Sequence, residues 1–183
     1  IVFTDREQIR TTAQRPFIQD LDALPLPARH LLPMARYQAL GYPVSIITSR
    51  GCPNQCIFCL GRRMVGQKVR FRSAKIIADE IQELCSLGIS VINIADDLFT
   101  ASKRRVAELC HEIVKRKINI SWSAFSRVNT IDTQTLKLMK SAGCNSVSFG
   151  IESGNTEMLK RVKKGITIAQ AKKAAIACRE AGI

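Results

Sequence analysis

The chain has 183 residues, of which 46% are hydrophobic, 23% charged and only 5% aromatic. This composition predicts one soluble globular domain with a substantial core. No apolar run approaches the ~18 residues of a membrane-spanning helix, and the N-terminus lacks a signal-peptide pattern. The formal net charge of +13 favours anionic partners such as nucleic acid, phosphates or an acidic electron donor, although the basic residues are scattered.

Seven cysteines occur in the chain. Because an odd number at irregular spacing is not typical of a disulfide framework, we predict reduced thiols and a cytoplasmic protein. Both ends resemble internal positions: Ile1 stands in place of a start methionine, and Gly182 with Ile183 resembles a helix stop followed by a new strand. We therefore expect a fragment of a longer protein.

Residues 1–43 are predicted to form a proline-rich connector. Five of the six prolines precede Val44, and proline removes a backbone donor and restricts the residue before it. We expect the connector to pack on a domain surface through its leucines, which are Leu21, Leu24, Leu26, Leu31 and Leu32.

From Val44 onward, short apolar runs alternate with amphipathic stretches. Strands are predicted over residues 44–48, 90–95, 118–125 and 145–151. Helices, several with an N-cap residue, are predicted over residues 73–87, 101–117, 132–142, 156–162 and 167–181. This alternation predicts an α/β fold with right-handed crossovers and a parallel sheet. The isolated cysteines Cys85, Cys110 and Cys178 fall on apolar helix faces and are predicted to be small core residues.

Three of the remaining four cysteines form a compact motif directly after the first predicted strand of the sheet. Cys52, Cys56 and Cys59 supply three thiolates, which is one fewer than a closed tetrahedral zinc site or a fully ligated cluster needs. We predict a 4Fe–4S cluster with one iron open to a small molecule. The alternatives are a zinc site, for which His30 and His111 are remote in sequence, and a ferredoxin-like cluster, for which a fourth nearby cysteine is missing.

Polar side chains also follow the other three predicted strands. Because ligands of a parallel sheet bind at the carboxyl ends of its strands, these side chains are expected to meet near the cysteines. They are Asp96 and Asp97, Ser126 and Arg127, and Glu152 and Ser153. The basic clusters at 62–63, 103–105, 115–117 and 160–164 are predicted to lie mainly on solvated outer faces.

The cysteine spacing, with Phe58 before the third cysteine, resembles the signature of the radical S-adenosylmethionine (SAM) superfamily. The segments RFRSAKIIADEI, IADDLFT, SAFSRVNTID, MKSAGCNSVSFGIESGN and LKRVKKGIT resemble the subgroup that often carries an upstream cobalamin-binding domain. The stretch DLDALPLPARHLLPM resembles the segment that joins the two domains. The resemblance implies a partial parallel (βα) barrel with about four of six units in residues 44–183, truncated at its C-terminus, and a connector over residues 1–43.

The resemblance also implies site residues. Cys52, Cys56 and Cys59 would hold the 4Fe–4S cluster, and its open iron would chelate the amino and carboxylate groups of SAM. The side chains expected around SAM are Phe58 at the adenine, Asp96 and Asp97 at the amino group, Arg127 at the carboxylate, and Glu152 at the ribose or the amino group. The Asp-Asp pair departs from the Gly-Gly-Glu of many family members. In the structural alternatives, the aspartates cap the following helix, Arg127 pairs with a structural carboxylate and Glu152 satisfies loop amides.

The function implied is reductive cleavage of SAM to a 5′-deoxyadenosyl radical, with cobalamin-dependent methyl transfer or carbon-skeleton chemistry on a small-molecule substrate. An acidic electron donor such as flavodoxin or ferredoxin is the expected protein partner. Two alternatives stay open: a radical SAM enzyme of transfer RNA such as a methylthiotransferase, which the positive charge favours, and a non-catalytic iron–sulfur or zinc binding module.

Overall fold

The computed structural model describes residues 2–183. Ahead of the sheet lie an antiparallel hairpin, a 3-10 turn and one helix, none of which the proline content predicted. They are β1 (Val2–Asp5), β2 (Gln8–Thr11), the turn Arg29–Leu31 and α1 (Met34–Leu40). The buried connector residues include Leu21, Met34, which belongs to the main core, and Arg29, which forms an ion pair with Glu80 at 2.6 Å. Leu24, Leu31 and Leu32 are exposed.

The remaining elements alternate between strand and helix as predicted. The strands are β3 (Val44–Ile46), β4 (Ser49–Arg50), β5 (Arg70–Phe71), β6 (Val91–Ile94), β7 (Ser121–Ser126) and β8 (Cys144–Phe149). The helices are α2 (Gly61–Val65), α3 (Ala74–Ser86), α4 (Lys103–Lys115), α5 (Thr133–Ser141), α6 (Thr156–Arg161) and α7 (Ile168–Ala181). A 3-10 turn at Phe99–Ala101 precedes α4. Four strands form one parallel sheet in the order β3, β6, β7, β8, which confirms the α/β prediction.

The helix starts were the most predictable features, because each cap is a local contact. Ser73 and Asp132 accept hydrogen bonds from amides three residues ahead, and Thr167 with Gln170 forms the predicted capping box. The third strand of the sheet begins later than predicted, because residues 116–118 still bond to the end of α4 and Lys117 has a φ of 53°.

The two faces of the sheet differ in polarity. One face packs against α3, α4, α5 and α7 in a core that contains Trp122, whose indole donates to the Ala142 carbonyl at 2.7 Å. On the other face, Asn93, Ser123 and Ser146 stand side by side across three strands, and Ser123 Oγ donates to Asn93 Oδ1 at 3.0 Å. The helix-covered face therefore supplies the core, and the polar face is available to ligands.

The four isolated cysteines belong to the core or its edge. Cys110 and Cys144 are fully buried, and burial raises the pKa of each thiol to about 12. Cys85 and Cys178 are partly buried against the same core. Within residues 2–183 no helix combines the length and hydropathy that crossing a membrane requires.

The Asp132 cap leads to a prediction about pH. Hydrogen bonds from Lys103 and from Thr135 lower the pKa of Asp132 to about 2. Because this pKa lies below the unfolded value, the carboxylate stabilises the fold above the unfolded pKa, and the contribution is lost as pH falls toward 2. Asp132→Ala is expected to lower the unfolding free energy by about 1 kcal/mol at neutral pH. Denaturant titrations of both proteins from pH 7 downward check this. A difference in unfolding free energy between the unmodified protein and Asp132→Ala that grows as the pH falls would contradict it.

Candidate active site

The three clustered cysteines occupy the loop between β4 and β5, which pair as a short antiparallel ribbon. All three are free thiols, and each sulfur accepts one N–H hydrogen bond. The donors are Asn54 Nδ2 to Cys52 at 3.3 Å, Arg127 Nη1 to Cys56 at 3.5 Å, and the Gly61 amide to Cys59 at 3.3 Å. Such donors surround and tune the ligating sulfurs of iron–sulfur clusters, so the donor set fits a cluster.

A cavity of about 210 Å³ brings the cysteines together with the ends of three sheet strands. Four of the five side chains expected around SAM line it, namely Phe58, Asp97, Arg127 and Glu152. Their contacts with a cofactor stay a prediction. Two further cations, Arg62 and Lys164, also line the cavity, so both signs of charge face the same space.

Asp96 lies outside this cavity, contrary to expectation. Its side chain is buried and accepts four hydrogen bonds from two residues of the chain that leads into the cysteine loop. Oδ1 accepts from the amides of Thr48 at 2.6 Å and Ser49 at 3.0 Å, and Oδ2 accepts from their hydroxyls at 2.5 and 2.6 Å. The carboxylate is therefore occupied in holding the start of the loop.

Asp97 extends the same anchorage toward the cavity. Its Oδ2 accepts from the Gly51 amide at 3.2 Å, one residue before Cys52. The capping alternative does not describe the aspartates, because the N-cap of α4 is Ser102. Consecutive carboxylates at the end of β6 thus hold three of the four residues that precede Cys52, and we call this contact set the aspartate clamp.

Gly51 allows the loop to cross a neighbouring segment. Its φ is 110°, and a Cβ there would lie 2.3 Å from the Lys68 carbonyl oxygen. The next residue, Cys52, donates its amide to the Gly66 carbonyl at 3.1 Å. Only glycine fits this left-handed, close-packed position. The close approach and the hydrogen bond together hold Cys52 against the segment that leads into β5.

Arg105 supports the clamp from α4, although it was predicted to lie on a solvated face. Its guanidinium is buried between the rings of Phe71 and Phe99, at 5.4 and 5.5 Å. Nη2 donates to the Thr48 carbonyl at 2.9 Å, and Nη1 lies 3.9 Å from Asp96 Oδ2. Burial lowers the pKa of Arg105 and the Asp96 charge opposes that shift.

Arg127 is buried where β7 ends. Besides Cys56, it bonds to the Lys164 carbonyl oxygen through Nη2 and to Asn129 Oδ1 through Nε at 3.4 Å. None of its partners among residues 2–183 is a carboxylate. The described structure therefore does not support the alternative in which Arg127 pairs with a structural carboxylate.

Lys164 is the site residue that the sequence did not reveal, because it lies in a basic cluster predicted to be solvated. Its side chain is only 7% exposed. Nζ pairs with Glu152 Oε1 at 2.9 Å and lies 5.7 Å from the centroid of the Phe58 ring. The one sequence signal was its position between two capped helices, next to the glycine at 165.

Glu152 carries an uncommon backbone. Its φ is 73°, a left-handed conformation that costs a non-glycine residue energy and is concentrated at functional sites. At Gly150, a Cβ would lie 2.6 Å from Glu152 Oε1 and 2.9 Å from Lys164 Nζ. The missing side chain at 150 therefore leaves the space that this ion pair occupies.

Comparison with known proteins identifies the family. The profile of the radical SAM superfamily matches residues 46–183. The chain belongs to this superfamily. Its members use a 4Fe–4S cluster and SAM, and the resemblance predicted from the cysteine motif is confirmed.

Curated relatives are methyltransferases and cyclases. The chain is 39% identical over 170 residues to an uncharacterised methyltransferase of Pyrococcus horikoshii, covering 92% of this chain and 37% of that protein. It is 33% identical over 170 residues to the anaerobic magnesium-protoporphyrin IX monomethyl ester cyclase of a Synechocystis species, covering 90% and 34%. The chain thus spans about a third of the length of these relatives.

A solved structure supports the fold. The radical SAM methyltransferase TsrM of Kitasatospora setae, with cobalamin and a [4Fe-4S] cluster bound, matches with a TM-score of 0.75 and 25% identity over 82% of this chain and 31% of that one. The predicted partial radical SAM barrel is therefore confirmed as the fold of this chain.

Within residues 2–183, no three His, Cys, Asp or Glu side chains, the three loop cysteines included, are arranged to hold a single metal ion.

Proposed function

We propose that this chain is the cluster-binding part of a cobalamin-dependent radical SAM enzyme that transfers a methyl group or rearranges a carbon skeleton on a small molecule. The observation that carries the proposal is the cavity in which three cysteines, each with an N–H donor, face both cationic and anionic side chains. The matches to methyltransferases, to a cyclase and to a cobalamin-bound structure support the choice of chemistry.

Cys52, Cys56 and Cys59 would hold the cluster, whose chemistry when bound is to supply the electron that cleaves SAM to methionine and a 5′-deoxyadenosyl radical. The side chains of this chain would bind and orient SAM. SAM presents a carboxylate and an ammonium group on one amino-acid moiety, so its site needs both signs of charge. Arg127 and Lys164 would attract the carboxylate, while Asp97 and Glu152 would accept from the amino group or the ribose.

Phe58 would provide an apolar surface for the adenine. Its ring is 52% exposed at the cavity and already lies near the Lys164 ammonium. Because the Lys164 side chain is only 7% exposed, whereas that of Glu152 is 39% exposed, removing Glu152 would leave a poorly solvated ammonium group beside the cofactor.

Residues 1–43 would join the barrel to a cobalamin-binding domain. The connector is fixed to the core near the cysteine loop: Arg70 donates to the Ile18 carbonyl at 2.6 Å and stacks 4.9 Å from the Phe17 ring. The Ser73 amide donates to Asp22 Oδ1 at 2.9 Å. A connector held in this way would set the position of any domain attached to it.

The decisive experiment is incubation of the reduced, cluster-loaded full-length protein with SAM and hydroxocobalamin. We expect 5′-deoxyadenosine or methylated product above the no-enzyme blank. A yield that depends on added cobalamin would support the proposal that the enzyme is cobalamin-dependent. A protein that assembles the cluster and yields neither would support the non-catalytic module. Tight binding of transfer RNA that weakens steeply with salt would favour the RNA-modifying alternative.

Lys164→Met is expected to weaken SAM binding about tenfold or more, because it removes one cation of the carboxylate site and leaves Glu152 unpaired. The matched control is Lys160→Met, since among residues 2–183 the ion-pair partner of Lys160 is the exposed Glu157. Equilibrium dialysis with labelled SAM measures the Kd, and iron analysis verifies equal cluster loading. Equal Kd values for both variants would contradict the assignment.

A further inference from the structure

A second, larger cavity borders the cysteine loop. It measures about 910 Å³ and is lined by the connector, the cysteine loop, α2 and the residue Lys163 after α6, and we call it the loop groove. Cys56 and Cys59 line both the loop groove and the candidate active site, and Cys59 is exposed. A cluster held by these thiols would therefore be reachable from the loop groove without passing through the SAM site.

The loop groove is positively charged. Arg62, Arg63 and Lys163 line it, and its lining within residues 2–183 contains no carboxylate. In that part of the chain neither Arg63 nor Lys163 forms an ion pair, in contrast to Arg104, Arg116 and Lys160 on the outer helices. The charge of the groove is thus available to a partner.

Exposed apolar side chains accompany the cations. Ile57, Leu60 and Met64 are 65%, 63% and 72% exposed, and the first two line the groove while the third lies on α2. The Ile57 amide donates to the Val162 carbonyl at 3.1 Å, which holds the loop against the end of α6. A fixed apolar patch with a charged rim is typical of a protein contact surface.

We infer that the loop groove is the docking surface of a small acidic protein that carries one electron, and this inference rests on the proposed function. Each SAM cleavage consumes one electron. In the docking complex the reduced carrier is oxidised by one electron and the cluster is reduced by one, and no bond or proton changes place. Such encounters use small, weak interfaces, and opposite charges accelerate them.

The test compares two charge-reversed variants of the full-length, cluster-loaded protein. Arg63→Glu/Lys163→Glu changes the groove, and Lys172→Glu/Lys173→Glu makes the same change of net charge on the exposed face of α7. Stopped-flow measurements follow cluster reduction by reduced flavodoxin, an acidic carrier. We expect the groove variant to lose about tenfold or more in second-order rate at low salt, with the difference narrowing as salt rises.

Reduced methyl viologen distinguishes a defect in carrier docking from a defect in the ability of the cluster to accept electrons. It is a small cation, so the groove variant should accept its electrons at least as fast as the unmodified protein. An unchanged flavodoxin rate, or an equal loss in the α7 variant, would overturn the inference. Loss of transfer RNA binding without a flavodoxin effect would assign the groove to nucleic acid instead. If viologen reduces no cluster even in the unmodified protein, the proposed function fails, and the inference fails with it.

Discussion

Replacing Cys56 by alanine is expected to abolish cluster assembly and SAM cleavage. Cys56 is one of three thiols that face the cavity, and it is the one whose sulfur meets the buried Arg127 guanidinium. A three-cysteine set has no spare ligand, because each anchored iron needs its own thiolate. Nothing else in the loop can take its place, since the other four cysteines belong to the core or its edge.

The matched control is Cys85→Ala, on the partly buried edge of α3. Alanine favours a helix, so this variant should fold and load iron normally. Iron and sulfide analysis, the visible charge-transfer absorption and 5′-deoxyadenosine production are measured for both variants, and circular dichroism verifies folding. If Cys56→Ala keeps the iron content of the unmodified protein, the cluster assignment is wrong.

The sequence predicted those parts of the fold that depend on local contacts. Helix starts at Ser73, Asp132 and Thr167 are set by a side chain and an amide three residues ahead, so the cap and the helix are visible in one short window. The cysteine motif is equally local. The parallel direction of the four strands followed from their alternation with helices, and Asp97, Arg127 and Glu152, which come after three of these strands, line one cavity.

Contacts between distant residues could not be predicted in the same way. Asp96 bonds to residues 47 and 48 positions earlier, and no periodicity distinguishes a carboxylate that holds a loop from one that faces a ligand. Arg105 and Lys164 stand among exposed basic residues, so only tertiary packing shows that they are buried. The ribbon of β4 and β5 is two residues long on each side, which is too short for a pattern.

Removing the Asp96 carboxylate is expected to release the start of the cysteine loop. Asp96→Ala deletes four buried hydrogen bonds and leaves the Thr48 and Ser49 amides without an acceptor and Arg105 without its nearby anion. A loss of about 3 kcal/mol in unfolding free energy follows from breaking such a buried set. Because the loop carries the cluster ligands, iron affinity should fall about tenfold or more.

Asp96→Asn separates shape from charge. Its amide oxygen can still accept from both backbone amides, and its NH₂ group can donate to the two hydroxyls, so the loop keeps its anchor while the buried charge beside Arg105 is lost. We therefore expect intermediate stability with nearly normal iron loading. Thermal melts measure stability, iron analysis measures cluster loading and dialysis measures SAM affinity, all on one preparation.

The neighbouring Asp97→Asn is the comparison that decides between holding the loop and contacting the cofactor. Asp97 is exposed at the cavity, so its variant should weaken SAM binding with little change in melting temperature. The Asp96 variants should show the opposite pattern, with stability reduced in both, iron loading reduced in Asp96→Ala, and SAM affinity per loaded cluster retained. If Asp96→Asn weakened SAM binding as much as Asp97→Asn at an unchanged melting temperature, the buried carboxylate would act on the cofactor and the aspartate clamp would be wrong.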